Sequence, residues 1–294
     1  MRRGIRTGSF SVEDAGPQWA VTSMKFGPGF HASPGRSVDA SAYEQYVGRW
    51  SRLFVPNVLA AAEVAGGDRV LDVASGPGQV AAIALSALEG PRLVVGADIS
   101  CELLSAARAR LQRAAFQPVA MDGHALAFRD ASFDAVVCQL GLQFFADPAR
   151  GIAEFRRVLR PGRCVAVCVI STPERAPMWG VLADALSRHL PDQRHVLYLS
   201  FALADAAHLE RLFRQASFHD VRVERLVRRV SIDSFDEYWD PIASGTGSMP
   251  QAYLALPEPA RREVREDVRA RLSAFECDGR LVMSLEMLIA SGRA

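Results

Sequence analysis

One run of twelve residues restricts the fold of this chain more than anything else in it: Val70-Leu71-Asp72-Val73-Ala74-Ser75-Gly76-Pro77-Gly78-Gln79-Val80-Ala81. An apolar strand over 69–74 ends in a turn with two glycines, and a helix starts at Gln79. Gly76 and Gly78 tolerate positive φ and let the backbone approach a ligand closely. The helix N-terminus beyond them offers unpaired N–H groups. Asp98 stands twenty residues past Gly78, at the end of the next apolar run. A carboxylate placed there accepts the ribose hydroxyls of an adenosine cofactor.

The alternation continues. Residues 93–98 read as a strand, 101–114 as a helix, 117–121 as a strand, and 133–138 as a strand after the turn Asp130-Ala131-Ser132. A helix over 149–159 is stopped by Arg160-Pro161-Gly162, and 164–170 is a fully apolar strand of the kind buried on both faces. Such alternation predicts a doubly wound α/β fold around a mostly parallel sheet. Beyond it, 179–190, 204–215, 234–242 and 259–275 read as helices. Two further strands, 221–232 with one wet face and 281–290 at the end, pair antiparallel at one sheet edge. Ahead of the motif, residues 1–40 are rich in Gly, Ser and Pro and read as a mobile or extended arm. Tyr43, Tyr46, Val47 and Trp50 then recur at helical spacing, in a helix that runs on through 53–62 and is ended by Gly66-Gly67. Tyr43, Tyr46 and Trp50 fall on one helical face.

The 294 residues, 49% hydrophobic and 23% charged, suffice for one large core or one core with a small appendage. A net charge of +1, with Lys25 the one lysine among arginines, gives no pull toward nucleic acid or an anionic membrane. No basic, aromatic-interleaved strip for RNA is present. The five cysteines are odd in number and form no CxxC. Cys164 and Cys168 lie four apart in a strand, too far to bridge at ~3.3 Å per residue. Reduced thiols and a cytoplasmic location fit. The basic start is not followed by the apolar core of a signal peptide, no run approaches the ~20 apolar residues of a membrane span, and no metal-ligand set is read. Oligomeric state is left open.

Gly76, Gly78 and Ala81 also satisfy the dinucleotide pattern G-x-G-x-x-A, so a nicotinamide cofactor competes at this point. Asp72 favours S-adenosylmethionine, because a carboxylate inside the motif suits an ammonium and repels a pyrophosphate. The polar cluster over 121–126 suits an adenine edge, and the antiparallel sheet edge points the same way. In this order VLDVASGPG, the acid of GADIS, DGHALAFRDASFDAVVC and FRRVLRPG resemble the class I S-adenosylmethionine-dependent methyltransferases. The likeness is to the branch of the ubiquinone- and menaquinone-biosynthesis enzymes and covers 43–170. The resemblance implies a seven-stranded sheet with the last strand antiparallel. It also implies that motif and acid hold methionine and ribose, that the stretch at Asp122 meets adenine, and that aromatic residues of the first helix close over the cofactor. The expected cofactor contacts are therefore Tyr46, Trp50, Asp72, Ala74, Gly76, Gly78, Asp98, Ile99, Asp122, Gly123, His124, Ala125 and Gln139. Ser75 stands where relatives often carry Cys or Gly.

The loop after the fourth strand, Gln139-Leu140-Gly141-Leu142-Gln143-Phe144, carries no acid or histidine, although some relatives place a histidine there. Gln143, His189 and His195 are the candidate catalytic residues, the last two because they flank a segment that can approach the site. His208 and His219 read as surface residues and the cysteines as core. The organisation expected is one methyltransferase domain over 41–294, with lid elements at 41–52, 172–203 and 233–278. The lids bring Trp179, Tyr198, Phe201, Tyr238, Trp239, Met249 and Tyr253, a set suited to a small apolar or aromatic acceptor. O-, N- and C-methylation all remain open. The rival readings are a nicotinamide-dependent oxidoreductase and a non-catalytic S-adenosylmethionine-binding protein.

Overall fold

The computed structural model describes residues 43–87, 90–245 and 247–294. The strands are β1 (Arg69–Val73), β2 (Leu93–Asp98), β3 (Phe116–Ala120), β4 (Phe133–Gln139), β5 (Leu159–Ile170), β6 (His219–Ile232), β7 (Glu276–Cys277) and β8 (Arg280–Arg293). Their order is β3-β2-β1-β4-β5-β8-β6, with β7 a two-residue arm on β8. β1 to β5 pair parallel. β8 is antiparallel to both β5 and β6, so β6 runs with the first five. This is the expected seven-stranded, mostly parallel sheet with an antiparallel last strand, plus the short β7.

The central strands carry near-continuous Val, Ala and Leu because helices cover both faces. One face buries Phe54, Val58, Trp179, Leu186, Val264 and Met283, and the other Leu71, Val95, Phe155, Leu209 and Phe213. The strand order reverses between β1 and β4, so the chain leaves their carboxyl ends toward opposite faces and opens a crevice there.

Three readings need adjustment. β6 has no single wet face: Val221 and Val223 pack on one core layer, and Leu226, Val230 and Ile232 on the other. The strand is long enough to be half-covered by each layer in turn. The first helix is not continuous. A π-helical turn, Glu44–Gly48, precedes the short Arg49–Ser51, and Val55–Ala61 follows separately. A wider turn holds more residues than 3.6, so positions chosen at α-helical spacing drift off a common face. The helix Ser248–Ala255 also escaped notice, since SMPQAYLA has no charged face to set a period. The arm over 1–40 lies outside the described residues. Among the described residues no helix is long and apolar enough to cross a membrane, and the five cysteines are free thiols.

Candidate active site

The glycine turn sits at the carboxyl end of β1, in the crevice. Ala74, Gly76 and Gly78 all have positive φ, +56°, +51° and +76°, so the chain coils left-handed before the helix Gln79–Ala84 begins. Asp98, at the tip of β2, holds this turn: Oδ2 accepts from the Gly76 N–H at 2.8 Å and Oδ1 from the Ser100 N–H at 2.9 Å. Burial pushes the Asp98 carboxyl up, and the N–H donors of Ser100, Gly76 and Ile99 oppose that rise. A carboxylate has about four acceptor sites, so with three N–H donors engaged at least one remains for a ligand. The sequence marked Asp98 as an acid at a strand end; its grip on the turn needed the fold.

Asp72 lies below, fully buried, and neither carboxylate oxygen has a partner. Burial first, and the Asp98 charge second, push its carboxyl well above the usual range. Its charge reaches the Tyr43 hydroxyl, which is also pushed up, chiefly by burial. An unpaired buried carboxylate is costly unless a cation completes it.

An elongated cavity opens above these groups. It is lined by Tyr43, Ala74, Gly76, Asp98 and Ile99, by Met121, Asp122, Gly123 and His124, and by Gln139 and Phe145. Eight of the thirteen expected cofactor contacts thus line it: Ala74, Gly76, Asp98, Ile99, Asp122, Gly123, His124 and Gln139. Asp72 and Gly78 lie outside the lining, Asp72 within charge reach of Asp98 and Tyr43 and Gly78 as the cap of the helix Gln79–Ala84. Ala125 is exposed, pointing off the loop. Tyr46 and Trp50 are buried away from this cavity, displaced by the π-helical turn.

The loop that ends the cavity is pinned from the helix Pro148–Val158. His124 Nδ1 lies 2.7 Å from Asp122 Oδ1, and His124 Nε2 accepts from the Asp147 N–H at 3.2 Å. Both ring nitrogens are therefore engaged, and the ring packs 4.6 Å from Phe145 as a wall. Arg157 binds the Leu126 and Phe128 carbonyls and Asp130, each at 2.7–2.8 Å, and Glu154 from two nitrogens. Glu154 in turn accepts from the Leu126 N–H at 2.8 Å. In the sequence FRRVLRPG reads as a helix end; in the fold its second arginine positions the loop. A planar five-donor fork suits that task where a lysine does not.

The tip of β4 separates this cavity from a second one. Leu140 has φ +55°, and the two cavities share Tyr43, Leu140 and Phe144 as walls. The structure separates the two glutamines. Gln139 Nε2 donates to the Ser51 carbonyl at 2.7 Å, tying the N-terminal segment to the sheet, while its Oε1 is unpaired. Gln143 is buried in the second cavity with both amide atoms unpaired. Tyr46, Trp179, Ile170 and Met249 also line that cavity, and none of its described lining residues carries a charge at neutral pH. Tyr198, Phe201, Trp239 and Tyr253 are packing residues. His189 faces Glu263 at 3.9 Å and His195 is exposed; neither lines either cavity. They lie on two separate helices, Pro177–His189 and Arg194–Leu197, whose direction spacing alone does not give.

A doubly wound sheet with a glycine turn, an acid at the tip of β2 and a buried unpaired carboxylate has the chemistry of an adenosine-cofactor site. The family profile described as "Methyltransferase domain" matches residues 71–167. The demethylmenaquinone methyltransferase of Corynebacterium kroppenstedtii is 34% identical over 166 residues, which covers 53% of this chain and 69% of that protein. A putative methyltransferase structure from Bacillus halodurans superposes with a TM-score of 0.57 at 19% identity, covering 81% of this chain and 97% of that one. The Haemonchus contortus phosphoethanolamine N-methyltransferase 2, bound to phosphomonomethylethanolamine and S-adenosylhomocysteine, superposes with a TM-score of 0.55 at 18% identity, covering 86% of this chain and 56% of that one. The chain belongs to the class I S-adenosylmethionine-dependent methyltransferases, of the type that includes the ubiquinone- and menaquinone-biosynthesis enzymes. Its cofactor is S-adenosylmethionine, which removes the nicotinamide alternative left open by the glycine pattern.

Proposed function

We propose that the first cavity holds S-adenosylmethionine, with ribose on Asp98, adenine against Met121, His124 and Phe145, and the methionine ammonium drawn by Asp72. The second cavity takes a small neutral acceptor, apolar or aromatic, for methyl transfer. The junction carries this reading: Tyr43, Leu140 and Phe144 wall both cavities, so a methyl group at that border faces an acceptor. Bound S-adenosylmethionine supplies a methyl group on a sulfonium; the acceptor's electron pair forms the new bond as the sulfur–methyl bond breaks, leaving S-adenosylhomocysteine.

The chain's own share is orientation, which supplies up to ~7–11 kcal/mol in well-aligned reactions. The only ionisable side chains lining the second cavity among the described residues are Tyr43 and Tyr46, and burial pushes both hydroxyls up. Neither is a base at neutral pH, so the acceptor's own ionisation sets the pH–rate profile. The described residues of the segments 41–52, 172–203 and 233–278 act as cover, through Tyr43 and Tyr46, Trp179 and Met249. Among the described lining residues none is cationic, which disfavours a phosphate-bearing acceptor. The demethylmenaquinone enzyme among the relatives supports a quinol-type ring within the class. The test is calorimetric titration with S-adenosylhomocysteine, followed by label transfer from methyl-labelled cofactor to a panel of hydroxylated bicyclic aromatics and to phosphoethanolamine. Binding of the nucleoside with transfer to aromatics is expected; transfer to phosphoethanolamine alone would reverse the acceptor assignment.

A further inference from the structure

The second cavity carries more unmet polarity than an apolar acceptor needs. Gln143 is 1% exposed, with neither amide atom bonded. Tyr46 Oη and Trp179 Nε1 are also buried and unpartnered, on side chains 7% and 2% exposed. All three side chains line this cavity, and Tyr46 and Trp179 also wall a smaller void beside Tyr238. Tyr238 shows the contrast, since its hydroxyl donates to the Met178 carbonyl at 2.8 Å. The three unpartnered groups come from separate elements: the turn Glu44–Gly48, the turn Leu142–Phe144 and the helix Pro177–His189. Buried polar groups are nearly always paired, so three unmet ones around one cavity call for a ligand that completes them.

Their chemistry restricts that ligand. An indole N–H only donates, a neutral phenol donates readily, and a carboxamide both donates and accepts. Burial keeps the Tyr46 hydroxyl protonated. Such a set answers an oxygen with lone pairs and leaves an ammonium without enough acceptors. With no charged side chain in the described lining, an anion would also enter uncompensated. We propose that Gln143, Tyr46 and Trp179 form the oxygen-binding set of the acceptor site and set its preference for an oxygen-bearing ring over a bare hydrocarbon one. This rests on the reading of the second cavity as the acceptor site. Ring faces meet Ile170 and Met249, while the Gln143 Oε1 takes the proton of a hydroxyl and the N–H donors take its lone pairs.

The experiment uses the full chain saturated with S-adenosylhomocysteine and compares two probes by equilibrium dialysis, 1-naphthol and naphthalene. A site that hydrogen-bonds the oxygen should prefer 1-naphthol by about tenfold or more. Gln143→Met, close in volume, and Trp179→Phe, which removes the N–H and shrinks the ring, should each cut that preference to about threefold or less, and Tyr46→Phe should lower it by a smaller factor. Affinity for S-adenosylhomocysteine and the circular dichroism spectrum should stay unchanged in all three. A wild-type preference near one, no binding of either probe, or an intact preference in the folded Gln143 and Trp179 variants would each overturn the proposal. Failure of the wild type to bind S-adenosylhomocysteine would instead overturn the cofactor assignment, and it is read before any probe is added.

Discussion

The cofactor side of the site draws its groups from adjacent strand ends: Asp72 and Gly76 at β1, Asp98 at β2, Asp122 and His124 after β3, Gln139 at β4. The first three positions follow one another by strand–helix steps, and Gln139 follows by a helix-free connection from β3 to β4. The acceptor side gathers Tyr46, Gln143, Trp179 and Met249 from across some two hundred residues, and no period links them. The first region is bonded within itself, through Asp98 to the turn and Arg157 to the loop. Both keep unmet polar groups, Asp72, Ser75 and the Gln139 Oε1 in the first and Gln143, Tyr46 and Trp179 in the second, so the regions differ in the clamps that hold the first and not in unmet polarity. The contrast separates a constant ligand, held by a rigid local scaffold, from a variable one, met by side chains that packing alone brings together.

The largest effect should come from Asp98. Asp98→Ala removes the acceptor for the ribose and the clamp on Gly76, so S-adenosylhomocysteine affinity should fall by about a hundredfold or more in a calorimetric titration, from two charge-assisted bonds at ~1.5–3 kcal/mol each. An effect below about fivefold would mean that the clamp and the ribose contact are both dispensable.

Asp72 sharpens the comparison by separating stability from binding. Its carboxyl is pushed up, so the native state keeps a proton that the unfolded chain loses above about pH 4. Stability is therefore lost as pH rises above that value toward the folded pKa. Asp72→Asn should raise the melting temperature of the ligand-free protein at pH 7 by a few degrees, with the gain vanishing near pH 4, and should lower cofactor affinity by about tenfold. A variant that melts lower and binds normally would make Asp72 a structural residue.

Arg157 tests the rigidity of the cofactor side from outside it. Arg157→Ala frees the loop after β3, and we expect S-adenosylhomocysteine affinity to drop by about five- to tenfold with little restored by Arg157→Lys, since a lysine cannot span the two carbonyls and the two carboxylates. Hydrogen exchange over 122–130 should quicken in parallel; unchanged exchange would remove the positioning role.

The smallest effect should fall on the border. Tyr43→Phe keeps the wall and removes only a hydroxyl, so cofactor affinity should change by less than about threefold. A large loss would place that hydroxyl in direct contact with the ligand.

The sequence alone carried the parallel sheet, the glycine turn, Asp98 and the loop at Asp122, because each depends on local spacing that a strand–turn–helix unit repeats. It also marked the chemistry of the 139–144 loop, which lacks any base. The tertiary structure decided what local spacing does not encode. It turned Trp50 and His195 away from the site, split Gln139 from Gln143 by a single bond to Ser51, and revealed Arg157 as the loop's anchor. The reason is physical. Periodicity tells which residues share a face of one element, whereas the direction of that face, and the partner that satisfies each buried polar atom, are set by packing between elements distant in the chain.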